Sequence, residues 1–174
     1  MTIMEAKDTG WEFWYAIRKA AAILERDAEA VVSAELGISF GQFMVLSVIE
    51  AHPGPLIQTA IADHLGLTKA TVSRLIEQGS RAGWISVGPD PASRRSRLIS
   101  LTAAGEDLVR RGDAALEAST LASIQSSPAP IRAATATITQ VIETLRGPQD
   151  PHRTALPASR HPMGNSQKSP QRTA

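Results

Sequence analysis

Two groups of residues in this 174-residue chain could do chemistry, and in both the chemistry is anion recognition. Lys69, Thr71, Ser73, Arg74, Gln78 and Arg81 recur at a spacing that gathers them on the outer side of one helix, opposite Val72, Leu75 and Ile76. Lysine and arginine anchor phosphates, hydroxyls and amides reach base edges, and Arg74 could grip a guanine through two parallel N–H groups. Arg94, Arg95 and Arg97 crowd a second positive cluster into four positions. Each group alone is also what a solvated helix face or a polar loop looks like. The deciding question is whether the fold sets the two side by side.

Catalysis has no comparable foothold. The chain lacks HExxH, a P-loop and GxGxxG, and Glu25, Asp27, Glu29 and Glu35 are spaced as on a solvated helix. There is no cysteine, which excludes a disulfide framework, a thiolate nucleophile and a cysteine zinc site. His52 and His64 fall near element ends, and two histidines with Asp63 beside one of them make a poor metal site. No enzyme activity, cofactor or metal is expected. Bulk charge is uninformative: the 18 Lys and Arg face 17 Asp and Glu. The last 28 residues hold Arg153, Arg160, Lys168 and Arg172 against Asp150 alone, which leaves residues 1–146 at −2 within a whole of +1. No uncharged apolar run approaches the ~18 residues of a membrane span, and MTIMEAKDTG lacks the order of a secretory signal. The expected location is the cytoplasm, without a membrane partner.

The elements that must position these residues can be read from period and punctuation. Phe13, Ile17, Ala21, Leu24, Ala28 and Val31 recur at steps of three and four, predicting an amphipathic helix from Trp11 to Leu36 that Gly37 ends. Ser39 caps a second helix running to His52, and a short third one fits Ile57 to Leu65 before Gly66. Thr68 caps the fourth, so the tight Leu65-Gly66-Leu67 link makes a helix-turn-helix. The period then changes to two at Ile85/Val87 and Ile99/Leu101, predicting a hairpin with an eight-residue loop, 89–96. Thr102 caps a helix to about Gln125, and a last helix carries Ile131, Ile138, Val141, Ile142 and Leu145 to Gly147. Proline lacks an N–H and restricts its predecessor, so Pro53/Pro55, Pro89/Pro91 and Pro128/Pro130 should each mark a break. The Pro-rich, basic segment 148–174 cannot bury enough apolar surface to order itself.

A helix-turn-helix followed by a hairpin is a winged helix. Its second helix fits the DNA major groove while the wing reaches the backbone or minor groove beside it. That adjacency turns the two basic groups into one DNA-facing surface: Thr68, Lys69, Thr71, Ser73, Arg74, Gln78 and Arg81 from the helix, Arg94, Arg95 and Arg97 from the wing.

These residues resemble the MarR-type winged-helix transcriptional regulators. The resemblance rests on FGQFMVLSVI, IADHLGLTKATVSRLIEQ, Gly83-Trp84-Ile85 and DPASRRSRLISLTAAGEDL. The last stretch is the specific part, because the family's wing typically reads DPxDRRSxxxxLTxxG. The resemblance implies a mainly α fold with a small β-hairpin wing, divided into an N-terminal dimerisation helix (1–36), a winged helix-turn-helix (38–101), C-terminal dimerisation helices (102–147) and the tail. It implies a homodimer on a pseudo-palindromic double-stranded DNA site, with Arg95 entering the minor groove. It also implies a repressor released by a small aromatic effector, for which Trp14 and Phe43 are the pocket candidates.

Four positions depart from the family pattern. Ser93 replaces the usual Asp, a carboxylate that would hold the wing arginine. Gly79 replaces an apolar residue, at a helix-propensity cost of roughly 1 kcal/mol plus lost packing that Trp84 could refill. Val87 replaces a common basic residue, and Ile57 a capping residue. With the acidic body, Ser93 and Val87 support a rival reading, a winged-helix module that has lost tight DNA binding and works through a protein partner; the intact Lys69, Arg74 and Arg94/Arg95/Arg97 set argues against it.

Overall fold

The computed structural model of the chain describes residues 3–146; the proline-rich segment 148–174 lies outside the described residues. Helix α1 (Ile3–Leu36) precedes α2 (Phe40–Ala51), α3 (Gln58–Leu65) and α4 (Lys69–Arg81). The hairpin β1 (Ile85–Asp90) and β2 (Ser93–Leu101) follows. Helix α5 (Ala103–Leu116) runs without interruption through a π-helical turn (Glu117–Leu121) into α6 (Ala122–Gln125), and α7 (Ile131–Arg146) comes last.

The ends of these helices are fixed locally. Gly37 and Gly66 adopt φ of 68° and 66°, the left-handed conformation that stops α1 and α3 at no steric cost. Ser39 Oγ accepts the Gln42 N–H at 3.2 Å, and Glu29 of α1 accepts the Phe40 N–H at 2.7 Å, so two orphan donors at the start of α2 are satisfied. Ile57 gives α3 no side-chain cap, as its type requires. The run Gly37-Ile38-Ser39-Phe40-Gly41 has the GxSxG spacing of a nucleophile elbow. It joins two helices rather than a strand and a helix, and the Ser39 hydroxyl is spent on the cap.

The core lies inside the winged helix. Phe43, Val45, Leu46, Ile61, Val72, Ile85, Ile99 and Val109 are buried, drawn from α2, α3, α4, both strands and α5. Phe43 presses its ring against Gly112 of α5, where a Cβ would have no room. Gly105 sits equally tightly on the Trp84 carbonyl, which explains the glycine three residues after Thr102. Gly79 leaves no hole. A Cβ there would lie 2.6 Å from Ile85 Cδ1 and 2.9 Å from Gln42 Nε2, so Ile85 and Gln42, rather than Trp84, fill the space.

The hairpin differs from its expected form. The strands extend far beyond the alternating residues, leaving Pro91 and Ala92 as a two-residue turn instead of an eight-residue loop. Antiparallel pairing runs from Ile85↔Leu101 to Pro89↔Arg97, then shifts so that Asp90 pairs with Ser93. Residues 94–96 therefore bulge from β2. Pro89 lies inside β1 rather than at a break, and having no N–H it cannot sustain the ladder, which is where the register slips. Leu56 and Ile99 exchange two backbone hydrogen bonds, 2.9 and 2.8 Å, pinning the wing to the segment before α3.

Outside this core, packing thins. Of the apolar series read on α1, only Ala28 is buried, with Val32 beside it on the same face. Trp11, Trp14, Tyr15, Ile23 and Leu24 are exposed, as are Ile131, Ile138, Ile142 and Leu145 of α7. No single helix among the described residues is long and apolar enough to cross a membrane.

Candidate nucleic-acid interface

Helix α4 is divided sharply between two faces. Val72, Leu75, Ile76 and Gly79 are buried against α2, α3 and β1, which forces Lys69, Ser73, Arg74, Gln78 and Arg81 outward. Thr68 is exposed and Thr71 half-buried. Thr68 Oγ1 accepts the Thr71 N–H at 3.2 Å and lies 2.9 Å from Thr71 Oγ1, so this pair builds the start of the helix. One hydroxyl of the pair donates to the other, so a single O–H is left to donate to a phosphate. Arg81 is ion-paired with Glu77 at 2.5 Å on the helix surface. Among the described residues no carboxylate pairs with Arg74, Arg95 or Arg97.

Gln58 is a residue that the motif reading passed over. At the first position of α3, its Nε2 donates to the Lys69 carbonyl at 2.7 Å and so ties the start of α3 to the start of α4. A polar side chain directly after the uncapped Ile57 was the available signal. The link fixes the Lys69 backbone against the start of α3.

The wing carries Arg95 and Arg97 exposed, and Arg94 and Arg95 fall in the bulge of β2. Asp90 accepts the Ala92 N–H at 2.9 Å, which closes the turn. Ser93 Oγ accepts the Arg95 backbone N–H at 3.4 Å, so the serine shapes the bulge but offers the guanidinium no carboxylate. Val87 is exposed, with no charge to offer at that point on β1. Thr102 closes the base of the wing: its hydroxyl donates to the Gly83 carbonyl at 2.7 Å and accepts the Gly105 N–H at 3.2 Å.

The two pocket candidates are not brought together. Phe43 is wholly buried, stacked on Phe40 with centroids 6.3 Å apart. Trp14 is half-exposed on α1, edge-on to Trp11 and Tyr15, with the Arg18 guanidinium 5.2 Å from its ring. His52 Nδ1 is 2.9 Å from the Gly54 carbonyl, in the loop after α2. Among the described residues no group of histidines and carboxylates could hold a metal ion.

Comparison with known proteins agrees with this geometry. Residues 36–96 match the family model described as "MarR family". An HTH-type transcriptional repressor of Mycobacterium tuberculosis is 27% identical over 104 residues, 60% of this chain and 73% of that protein. A MarR family transcriptional regulator from Streptomyces coelicolor, solved in complex with DNA, superposes with a TM-score of 0.68 at 18% identity, over 79% of this chain and 88% of its own. The regulator BldR from Sulfolobus solfataricus gives 0.72 at 12% identity, over 83% and 99%. CouR from Rhodococcus jostii, bound to p-coumaroyl-CoA, gives 0.66 at 16% identity, over 79% and 94%. The helix-turn-helix and most of the wing thus lie inside the match to the MarR family, and the fold as a whole is similar to that of solved MarR family regulators.

Proposed function

We propose that this regulator is a repressor that binds a pseudo-palindromic operator as a homodimer, reading the major groove with α4 and the flanking minor groove with the wing. The carrying observation is the two-faced burial of α4, which leaves Lys69, Ser73, Arg74 and Gln78 outward while the wing holds Arg95 and Arg97 exposed, with no carboxylate partner among the described residues. In this reading Lys69 and Thr68 hold phosphates, Thr71, Ser73, Arg74 and Gln78 address base edges, and Arg81 shares its charge between Glu77 and the backbone. Arg95, flanked by Arg94 and Arg97, enters the minor groove, where a narrow groove concentrates negative potential.

Dimerisation is supported by the apolar surface that α1 and α7 leave open. Helix α7 packs against no other described element to a comparable extent, yet exposes Ile131, Ile138, Ile142 and Leu145. A small aromatic effector acting near α1 is part of the same proposal, supported by the exposed Trp11, Trp14 and Tyr15 cluster; the complete burial of Phe43 counts against a direct ligand contact there.

The test is binding to DNA from upstream of the protein's own gene at several salt concentrations, for the full chain and for a version ending at Gly147. Phosphate contacts give a log–log slope of about −0.9 per neutralised phosphate, in excess of random duplex and retained without the tail. Arg95→Ala should cost at least ~1 kcal/mol on the cognate site. Unchanged affinity at moderate salt rejects the wing assignment. No binding even at low salt favours the protein-interaction module.

A further inference from the structure

Among the described residues the buried polar side chains are Gln42 and Ser47, both on α2. Ser47 is provided for, since its Oγ donates to the Phe43 carbonyl at 3.1 Å. Gln42 is not. It is 4% exposed, and neither Nε2 nor Oε1 has a hydrogen-bond partner among the described residues. An unpaired buried amide costs the folding equilibrium roughly a factor of ten, a cost that an apolar side chain of equal length would avoid.

The cost falls at one joint of the winged helix. The amide lies against Gly79 of α4 and, with Ile85 of β1, takes the space that a Cβ would need. Two residues that are unfavourable alone, an unpaired amide and a glycine inside a helix, thus face each other. Immediately beyond them α4 turns into the wing. The Trp84 N–H donates to the Gly79 carbonyl at 2.9 Å, Gly83 adopts a φ of 80°, and β1 begins at Ile85. The joint therefore governs how the outer face of α4 is set against the strands that carry Arg95 and Arg97. Without a Cβ, Gly79 leaves the α4 backbone uncovered towards the amide. A helical carbonyl that already accepts one N–H keeps a second lone pair.

We propose that Gln42 is a positioning residue for DNA recognition: its amide, unpaired in the free protein, hydrogen-bonds the α4 backbone beside Gly79 when α4 seats in the major groove. The inference rests on the operator-binding reading above and deepens it by naming a residue that sets α4 against the wing. Stability withheld from the free protein is recovered in the bound one, so the amide favours the seated arrangement of α4. Random duplex is held through phosphates and does not require that seating. Gln42 thus serves discrimination between sequences rather than general affinity.

The experiment compares the full chain with its Gln42→Met variant, whose side chain is apolar and of similar length. The probes are a duplex that the unmodified chain selects from a random-sequence pool and an unselected duplex of the same length. Gln42→Met should raise the urea midpoint at unchanged slope, because it removes an unpaired buried amide. The same variant should bind the selected duplex about tenfold more weakly, with affinity and salt slope on the unselected duplex unchanged. A side chain that only fills space gives no reason for stability and recognition to move in opposite directions. Gly79→Ala covers the backbone that faces the amide and should also weaken the selected duplex. Adding Gln42→Met to it should then cost nothing further. A lower urea midpoint in Gln42→Met would show that the amide is paired in the free protein and would overturn the proposal. Unchanged affinity for the selected duplex, or additive losses in the double variant, would do the same while leaving operator binding intact. Enrichment of no duplex by the unmodified chain would reject operator binding itself, and the proposal with it.

Discussion

At the scale of single residues, the structure turns on contacts that type alone only half announces. Gly112 reads in the sequence as a weak point in a helix, yet it is the seat of the Phe43 ring. Replacing it with alanine gains up to about 1 kcal/mol in helix propensity but forces a methyl into a fully buried ring. Gly112→Ala should therefore destabilise by about 1–2 kcal/mol net, read as a lower urea midpoint at unchanged slope; an equal or higher midpoint would show that the ring can move. Asp113, next along α5, is half-buried. Its carboxyl is pushed from 3.8 to about 6 by burial first, then by Glu50 and Glu117. The folded state thus holds this proton more tightly than the unfolded chain, so Asp113 costs stability as pH rises through that window and costs nothing below it. Asp113→Asn should raise stability near pH 7.5 by the order of 1 kcal/mol after solvent screening, and the gain should vanish towards pH 4. A gain independent of pH would assign the effect to packing instead. Neither residue could have been singled out from the sequence, because both effects depend on which side chain another helix brings opposite.

At the scale of elements, the boundaries set by capping chemistry were legible: Ser39, Thr68 and Thr102 each cap the helix that follows, and Gly37 and Gly66 end theirs. These are local devices, complete within four residues, and so they survive into the fold unchanged. The wing was not legible in the same way. Its alternation stops at Val87 because the strands leave the body there, and beyond that point exposure rather than burial accompanies pairing. The register shift after Pro89, which puts Arg94 and Arg95 into a bulge, depends on a hydrogen bond that proline cannot make. The wing is anchored at its base by Thr102, which bridges the Gly83 carbonyl and the Gly105 N–H. Thr102→Val should cost about 1–2 kcal/mol by removing the cap and leaving the Gly83 carbonyl without its donor. Amide exchange should rise first at Gly105 and across β1; protection unchanged there would separate the wing from the cap.

At the scale of the whole molecule, the apolar residues divide into two populations, and the division is the argument for how the protein assembles. The winged helix buries its own core within one chain, whereas α1 beyond Ala28 and nearly all of α7 do not. Periodicity announced both as amphipathic helices but could not say what each apolar stripe faces, since the 3.6-residue repeat is the same for a face covered within the chain and one covered by another chain. Contiguous exposed apolar surface of this kind marks an interface in a well-behaved protein. The expected consequence is that Ile138→Glu with Ile142→Glu converts a dimer into a monomer at micromolar concentration, measured by sedimentation, while the circular dichroism of the winged helix persists. Because two winged helices are then no longer held together, affinity for a full operator should fall by about two orders of magnitude or more, towards that of one winged helix for a single half-site. Monomer formation with undiminished operator affinity would show that one winged helix carries the recognition alone. A persistent dimer would place the interface elsewhere than on α7.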